Sequence, residues 1–350
     1  MPRLLSRSVV PVLVSISFAT HVLHAQQSFA AGPVQAEVGA KASGYLEVPA
    51  GVDDGTRIPV TVINGGRPGP VLALIAGTHG YEYPPITALQ NLRNDIDPNE
   101  LAGTIVMVHV ANVPSFLGRT IYYSPIDGKN LNRAYPGDPN GTVSERIAHA
   151  ITTHVIGVAD YVVDMHGGDG NEALRPYLYM PVTGNAELDE EIRGMATAFG
   201  IDHIVIDRTR TNTGPSVYTD KTALDRGIPA ITTETGQLGS NDLVWIEMAE
   251  RGVWNLLRFL DMVDGEVEAT GEFVWLEDYE VVRSPATGMF RAAVRDGYVV
   301  AEGGLLGTLV DLFGDPIQDI TAPFSGVVNY VVGTPPVSEG EPVAMISRIR

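Results

Sequence analysis

Apolar residues along the chain fall into two recurring patterns. Short unbroken runs read as buried strands: Val71–Ala76 (VLALIA), Ile105–Val110 (IVMVHV), Tyr161–Met165 and Ile228–Thr233. Between them lie segments with apolar residues at helical spacing. Pro84-Pro85 opens one that carries Ile86, Leu89 and Leu92. Ser144–Val158 carries Ile147, Ile151 and Val155 on one face, and Ser216–Gly227 reads as a further helix. Leu243–Val263 is a long amphipathic helix that Gly252 weakens. A long loop spans Asn112–Asn140. Strand and helix in alternation predict an α/β fold with a sheet flanked by helices. Such sheets bind ligands at the carboxyl ends of their strands. That rule directs attention to His79, His166 and Glu234, each placed just after an apolar run.

After about residue 270 the pattern changes to short strands and glycine turns, and an internal duplication emerges. Ser284-Pro285-Ala286-Thr287-Gly288 resembles Ala322-Pro323-Phe324-Ser325-Gly326. Downstream, Val300-Ala301-Glu302-Gly303 resembles Val337-Ser338-Glu339-Gly340. This part is similar to the barrel-sandwich of biotinyl and lipoyl carrier domains. Those carriers need an acceptor lysine, and the lysines of this chain are Lys41, Lys129 and Lys221. A carrier role is therefore excluded, leaving a structural or substrate-shaping part. The expected division is a signal segment at 1–25, a small, polar linker at 26–44, a catalytic domain at 45–270 and an all-β domain at 271–350.

The chain has 350 residues, 44% apolar and 19% charged, which suits a globular protein of two domains. Lys+Arg is 23 against Asp+Glu of 42, a net charge of −19. An acidic surface argues against nucleic acid or an anionic membrane as partner. Residues 1–25 have the order of a secretory signal: Arg3 and Arg7, an apolar run from Val9 to Ala19, then Leu23-His24-Ala25. Ala30 and Ala31 are alternative cleavage positions. The run is short for a membrane span, and Pro11 and Ser15 interrupt it, so stable insertion is not expected. A periplasmic or secreted location is. Removing residues 1–25 takes away two Arg and no acids, giving 21 − 42 = −21 for the mature chain. There is no cysteine, so any metal site must use histidine and carboxylate.

Two histidines and a carboxylate make a three-ligand catalytic zinc site with one position open for water. His79 and Glu82 in GTHGYEYPP, with His166 in DMHGG, are the candidate ligands. For the first pair the alternative is a loop histidine beside a helix-capping glutamate. For His166 it is a hydrogen-bonded core histidine. Asp164, two residues earlier, is a candidate supporting carboxylate. Glu234 in TTETG ends an otherwise uncharged stretch, where a carboxylate is costly unless it has a use. Partial desolvation would raise its pKa and suit it to proton transfer, the alternative being a helix cap. Asn132 and Arg133 in GKNLNRAYPG, and Arg119 earlier in the same loop, offer donors for a carboxylate or a developing oxyanion. A solvated charge is the alternative for either arginine. His109, His149, His154 and His203 read as structural or solvated.

The motifs G-T-H-G-Y-E, N-L-N-R-A-Y-P-G, D-M-H-G-G and T-E-T-G occur in the order found in the succinylglutamate desuccinylase/aspartoacylase family, and over residues 45–350 the chain resembles that family. The resemblance implies a zinc-carboxypeptidase-like mixed sheet followed by the β-rich C-terminal domain. It implies that His79, Glu82 and His166 bind one Zn2+, that Asn132 and Arg133 hold the substrate carboxylate, and that Glu234 is the general base. Aspartoacylase-like members carry a carbonyl-polarising arginine before N-L-N-R. Arg119 is the arginine available in that segment, although Ile121 stands near the same place. The signal segment is a second departure, because the best-known members act in the cytosol. The expected reaction is removal of the acyl group from an N-acyl amino acid. Alternatives are a carboxypeptidase or cell-wall peptide amidase acting on a short peptide with a free carboxylate, and a non-catalytic carboxylate-binding protein. Oligomeric state is left open.

Overall fold

The computed structural model of the chain describes residues 27–209, 214 and 216–350, so the expected signal segment lies outside the described residues. The expected linker, 26–44, is structured where it is described. It holds β1 (Phe29–Ala31), β2 (Val34–Ala36) and the start of β3 (Ala40–Val48). Ala31, Val34 and Ala36 are buried against the main core, so small residues here pack tightly rather than span a gap. The chain continues through β4 (Thr56–Asn64), β5 (Arg67–Ala76), α1 (Tyr83–Asp95), β6 (Ala102–Val108), α2 (Val113–Gly118) and α3 (Val143–His154). Next come β7 (Tyr161–His166), β8 (Glu172–Leu174), β9 (Tyr177–Pro181) and α4 (Ala186–Phe199). Then follow β10 (His203–Asp207), α5 (Thr219–Leu224), β11 (Ala230–Glu234) and α6 (Leu243–Phe259). The predicted strands and helices are present, with α3, α5 and α6 shorter than their patterns. The predicted loop 112–140 contains α2 and a 3-10 turn at Leu131–Arg133.

One mixed sheet positions the site. Its middle runs β11-β7-β5-β6, all parallel, with β4 and β3 added antiparallel at one edge and β9 antiparallel beside β11. The middle strands are buried on both faces, which is why they read as continuous apolar runs. Their register is nearly flush: Ala76 lies opposite Met165, and Glu234 opposite His166. The carboxyl ends of three adjacent strands therefore meet at one rim. On one face, α6 packs against both α1 and α4.

The C-terminal part is built from β12 (Val274–Arg283), β13 (Gly288–Ala292), β14 (Val299–Val300), β15 (Leu305–Val310), β16 (Pro316–Thr321), β17 (Gly326–Val332), β18 (Pro336–Val337) and β19 (Pro342–Ile349). They form two four-stranded arrays, β12-β19-β17-β14 and β16-β15-β13-β18. Advancing every label by four strands turns one array into the other, so the duplication in the sequence is a two-fold relation in the fold. Phe290, Leu306, Leu309, Val328, Val343 and Ile346 belong to the core they share. This part does not hang from a tether. β12 pairs in parallel with β10, and β8 pairs with β17, so the main sheet runs on into the C-terminal part.

Candidate active site

Each site residue is set by a local feature of the chain. His79 stands three residues beyond β5, in a turn where Gly77 has φ +72°. At Gly80 a Cβ would collide with the carbonyl oxygens of Ser115 and Thr120, so only glycine lets the turn lie this close. Glu82 occupies the N-cap position of α1, but its side chain caps nothing. It turns instead toward the histidines. Its Oε1 lies 2.7 Å from His79 Nδ1 and 3.1 Å from His166 Nδ1. One donor atom from each of the three residues lies within 4.8 Å of the others, and all three side chains are buried. Burial works against charge on His79, yet Glu82 outweighs it and raises the pKa. The same holds for His166, where Asp164 and Glu82 both contribute. Burial alone would raise Glu82, but the two histidines bring it down to about 2.

Asp164 follows strand alternation: two residues before His166, it shares the same side of β7. It is fully buried, and its Oδ2 lies 3.0 Å from His166 Nε2. That contact is electrostatic, since neither carboxylate oxygen finds a hydrogen-bond partner. A buried, unbonded carboxylate behind a histidine is costly unless positive charge stands on the far side of the ring. The donor set, two imidazoles and a carboxylate without thiolate, suits a divalent ion of zinc type. His79, Glu82 and His166 thus fit a metal, and the orphaned Asp164 calls for its charge.

Glu234 ends β11 directly beside His166 and lines the same cavity. Burial raises its pKa to about 8 against the pull of His166, with Glu82 and Glu172 adding to the rise. Asn132 lies in the 3-10 turn after N-L, and its Oδ1 accepts hydrogen bonds from Thr219 N at 3.0 Å and Oγ1 at 3.2 Å. This turns its amide nitrogen toward His166. Arg133 reaches outward, donates to the Asn132 carbonyl at 2.7 Å and lies over the Tyr218 ring at 4.5 Å. The cavity is about 650 Å³.

Arg119 is not brought to this site. It is exposed, in left-handed backbone at the C-cap of α2, and it does not line the cavity. The reversal at the end of α2 turns Arg119 to solvent, and the segment that follows turns inward instead. There Tyr122, itself at φ +57°, lines the cavity. Its N–H donates to Asp169 Oδ2 at 2.8 Å and its hydroxyl to Glu172 Oε1 at 2.7 Å. Burial raises Asp169 to about 6 and Glu172 to about 7. Sequence reasoning passed over Tyr122, Asp169, Glu172 and Asn130, whose side chain caps the 3-10 turn and lies 3.2 Å from His79 Nε2. Two acids so soon after D-M-H-G-G were the available signal. Nothing local marked Val281, Arg283, Tyr330 and Pro342, which the C-terminal part contributes to the cavity wall.

Residues 68–260 match the succinylglutamate desuccinylase/aspartoacylase catalytic domain. The chain is 29% identical over 332 residues to N-alpha-acetyl-L-2,4-diaminobutyric acid deacetylase of Halomonas elongata, covering 91% of this chain and 95% of that protein. Among solved structures it is similar to the product-bound ectoine utilization protein EutE (DoeB) of Ruegeria pomeroyi. That match has a TM-score of 0.81 and 26% identity over 93% of this chain and 99% of the other. It is likewise similar to a succinylglutamate desuccinylase/aspartoacylase of Rhodobacter sphaeroides, with a TM-score of 0.79 and 26% identity over 89% and 95%. With the catalytic-domain match spanning more than half of its length, and the motif residues gathered at one rim of the sheet, the chain belongs to the succinylglutamate desuccinylase/aspartoacylase family.

Proposed function

We propose that the protein is a zinc-dependent amidohydrolase that removes the acyl group from an N-acyl amino acid. One observation carries this reading: three adjacent strand ends place His79, Glu82 and His166 around a common point, with the Glu234 carboxylate beside them in one cavity. The deacetylase relative supports it. A divalent ion held by His79, Glu82 and His166 would supply Lewis acidity, acidifying water and polarising a carbonyl.

The chain's own groups account for binding and proton movement. Arg133 pairs with the carboxylate of the amino acid, and its stacking on Tyr218 fixes the plane of the guanidinium. Asn132, held by Thr219, borders the same space. Asp164 and Asn130 orient the two histidine rings. Glu234 takes the proton of the attacking water. Oxygen bonds to the amide carbon, the carbon–nitrogen bond breaks, and Glu234 returns the proton to the departing nitrogen. A base raised toward neutrality by burial is suited to both transfers. The C-terminal part walls the cavity, which favours a small substrate over a long peptide. The basic and then apolar order of residues 1–25 supports action outside the cytoplasm.

The test is to incubate the purified chain, its zinc content measured, with N-acyl amino acids and short peptides, with and without chelator. Released amines are identified by mass spectrometry. Chelator-sensitive release of a single amino acid from an acyl donor is the expected result. Release from peptides alone would replace this reading with a peptidase. Ligand binding without turnover in zinc-loaded protein would replace it with a binding protein.

A further inference from the structure

A second cavity, of about 400 Å³, lies between the C-terminal half of α1 and the edge strands β3 and β4. It shares no lining residue with the catalytic cavity. Strand pairing builds its floor: Ser43 of β3 lies opposite Thr61 of β4, and Tyr45 lies opposite Pro59. His109, just beyond β6, joins them by donating its backbone N–H to the Pro59 carbonyl at 3.1 Å. Arg93, from the last turn of α1, lines the other wall.

The polar groups of this cavity form one hydrogen-bonded chain. Arg93 Nε donates to Ser43 Oγ at 2.9 Å, Ser43 Oγ lies 2.8 Å from Thr61 Oγ1, and Thr61 Oγ1 lies 2.8 Å from His109 Nε2. Because Ser43 Oγ accepts from Arg93, the direction that uses every hydroxyl hydrogen runs from Ser43 to Thr61 to His109. Nε2 then accepts, and Nδ1 carries the ring hydrogen. That nitrogen is buried in the wall and has no partner among the described residues. Burial, and then Arg93, lowers the His109 pKa to about 4, so the ring is neutral, as this direction requires. At the other end, Arg93 Nη1 donates to Asn94 Oδ1 at 3.2 Å, while Nη2 makes no hydrogen bond among the described residues. No ion pair engages this guanidinium among the described residues, and no carboxylate lines the cavity, in a chain with 42 acids and 23 bases. Thr61 is fully buried and His109 is 7% exposed, so the fork is anchored to a rigid floor. Val60, Val110 and the Tyr45 ring, itself covered by Arg57 at 4.3 Å, make the remaining walls apolar. A fixed guanidinium above apolar walls is matched by a carboxylate on an apolar body.

We propose that this cavity is a second ligand site, taking a small organic acid whose carboxylate pairs with Arg93 and whose apolar body lies against Tyr45 and Val110. The proposal is independent of the deacylase reading. Ser43, Thr61 and His109 are positioning residues in it: they hold the guanidinium at one angle, so little order is lost when the anion arrives.

The test is calorimetry of the full chain with benzoate and with benzamide, a neutral ligand of the same shape, in an Arg133→Ala background that removes the carboxylate grip of the catalytic cavity. One benzoate per chain is expected, with a Kd of about 1 mM or tighter, the scale of a small ligand with one charge pair. Benzamide is expected to bind at least about tenfold more weakly, the scale of a charged hydrogen bond. Arg93→Gln is expected to weaken benzoate by a similar factor without changing the melting temperature. A second measurement leaves Arg93 in place and so holds even where Arg93→Gln fails to fold. The His109 ring resonances of the unsubstituted chain, assigned by their loss in His109→Gln, are expected to shift with benzoate and not with benzamide. Benzoate binding that Arg93→Gln leaves untouched, equal affinity for benzamide, or a His109 resonance that stays still at millimolar benzoate overturns the site.

Discussion

Glu82 stands where a helix would use a cap, and its carboxylate turns away to meet two histidines. That turn is what the proposed ligand role requires of Glu82. Its consequences are measurable residue by residue. Glu234→Gln keeps the shape and loses the base, so kcat should fall by about 10²–10⁴-fold with bound zinc unchanged. Loss of zinc in that variant would make Glu234 a ligand instead. Arg133→Lys keeps the charge and loses the fork, so it should raise KM with kcat nearly preserved in steady-state assays. A collapse of kcat alone would place Arg133 at the reacting carbonyl. Arg119→Ala should leave both constants within assay error, because the side chain faces solvent. A clear loss of kcat would return Arg119 to the chemistry. The residues legible in the sequence were those announced locally, by a strand end or a glycine turn: His79, His166, Glu234, and the N-L-N-R pair. Tyr122 and Tyr330 were illegible because their place depends on a left-handed turn and on a strand pairing across the molecule. Arg119 misled because position along a loop does not say which way its chain reverses.

At the scale of elements, parallel pairing does the assembling. β5, β7 and β11 are neighbours with flush ends, so three segments far apart in sequence deliver their next residues to one rim. The alternation of runs announced this arrangement, and strand order fixed it. The helical face depends on close approach. Gly252 in α6 lies under the Phe199 ring of α4, and Gly194 in α4 lies under Phe259 of α6. A Cβ at either would strike an aromatic ring, and Phe199 is buried. As a helix position Gly252 looks weak, and Ala would add about 1 kcal/mol of propensity. Overpacking costs about 1–3 kcal/mol, so Gly252→Ala should be neutral to destabilising in denaturant unfolding, never stabilising by the full propensity gain. Gain of that size would show that the two helices are free to move apart. α4, β9 and β10 have no counterpart among the predicted elements. The duplicated turns before β13 and β17 were legible. Their meaning, two arrays related by a four-strand shift, needed the pairings.

On the scale of the whole molecule, the catalytic sheet and the C-terminal strands are continuous, and the cavity is walled by both. The buried charge of that cavity governs stability in the absence of metal. Glu172, Asp169 and Glu234 have pKa values raised to about 7, 6 and 8. A raised acid holds a proton in the fold that the unfolded chain has released, so stability falls as pH climbs from the ordinary carboxyl range through those values. The raised histidines act in the same direction: they add stability below the ordinary histidine value and lose it as pH rises through their folded values. Glu82, held near 2, opposes them only below its ordinary value of 4.5. Metal-free protein should therefore melt lower at about pH 8.5 than at about pH 5.5, with added zinc raising the melting temperature most at the alkaline end. A melting temperature that rises across that window would contradict the charge arrangement. The central claim, that one ion at His79, Glu82 and His166 enables deacylation, is met most directly by titrating metal-free protein with zinc while following bound zinc and amine release together. Both should saturate at one zinc per chain, and His166→Ala should abolish both. Full turnover before zinc is added, or tight zinc binding that survives His166→Ala, would contradict it.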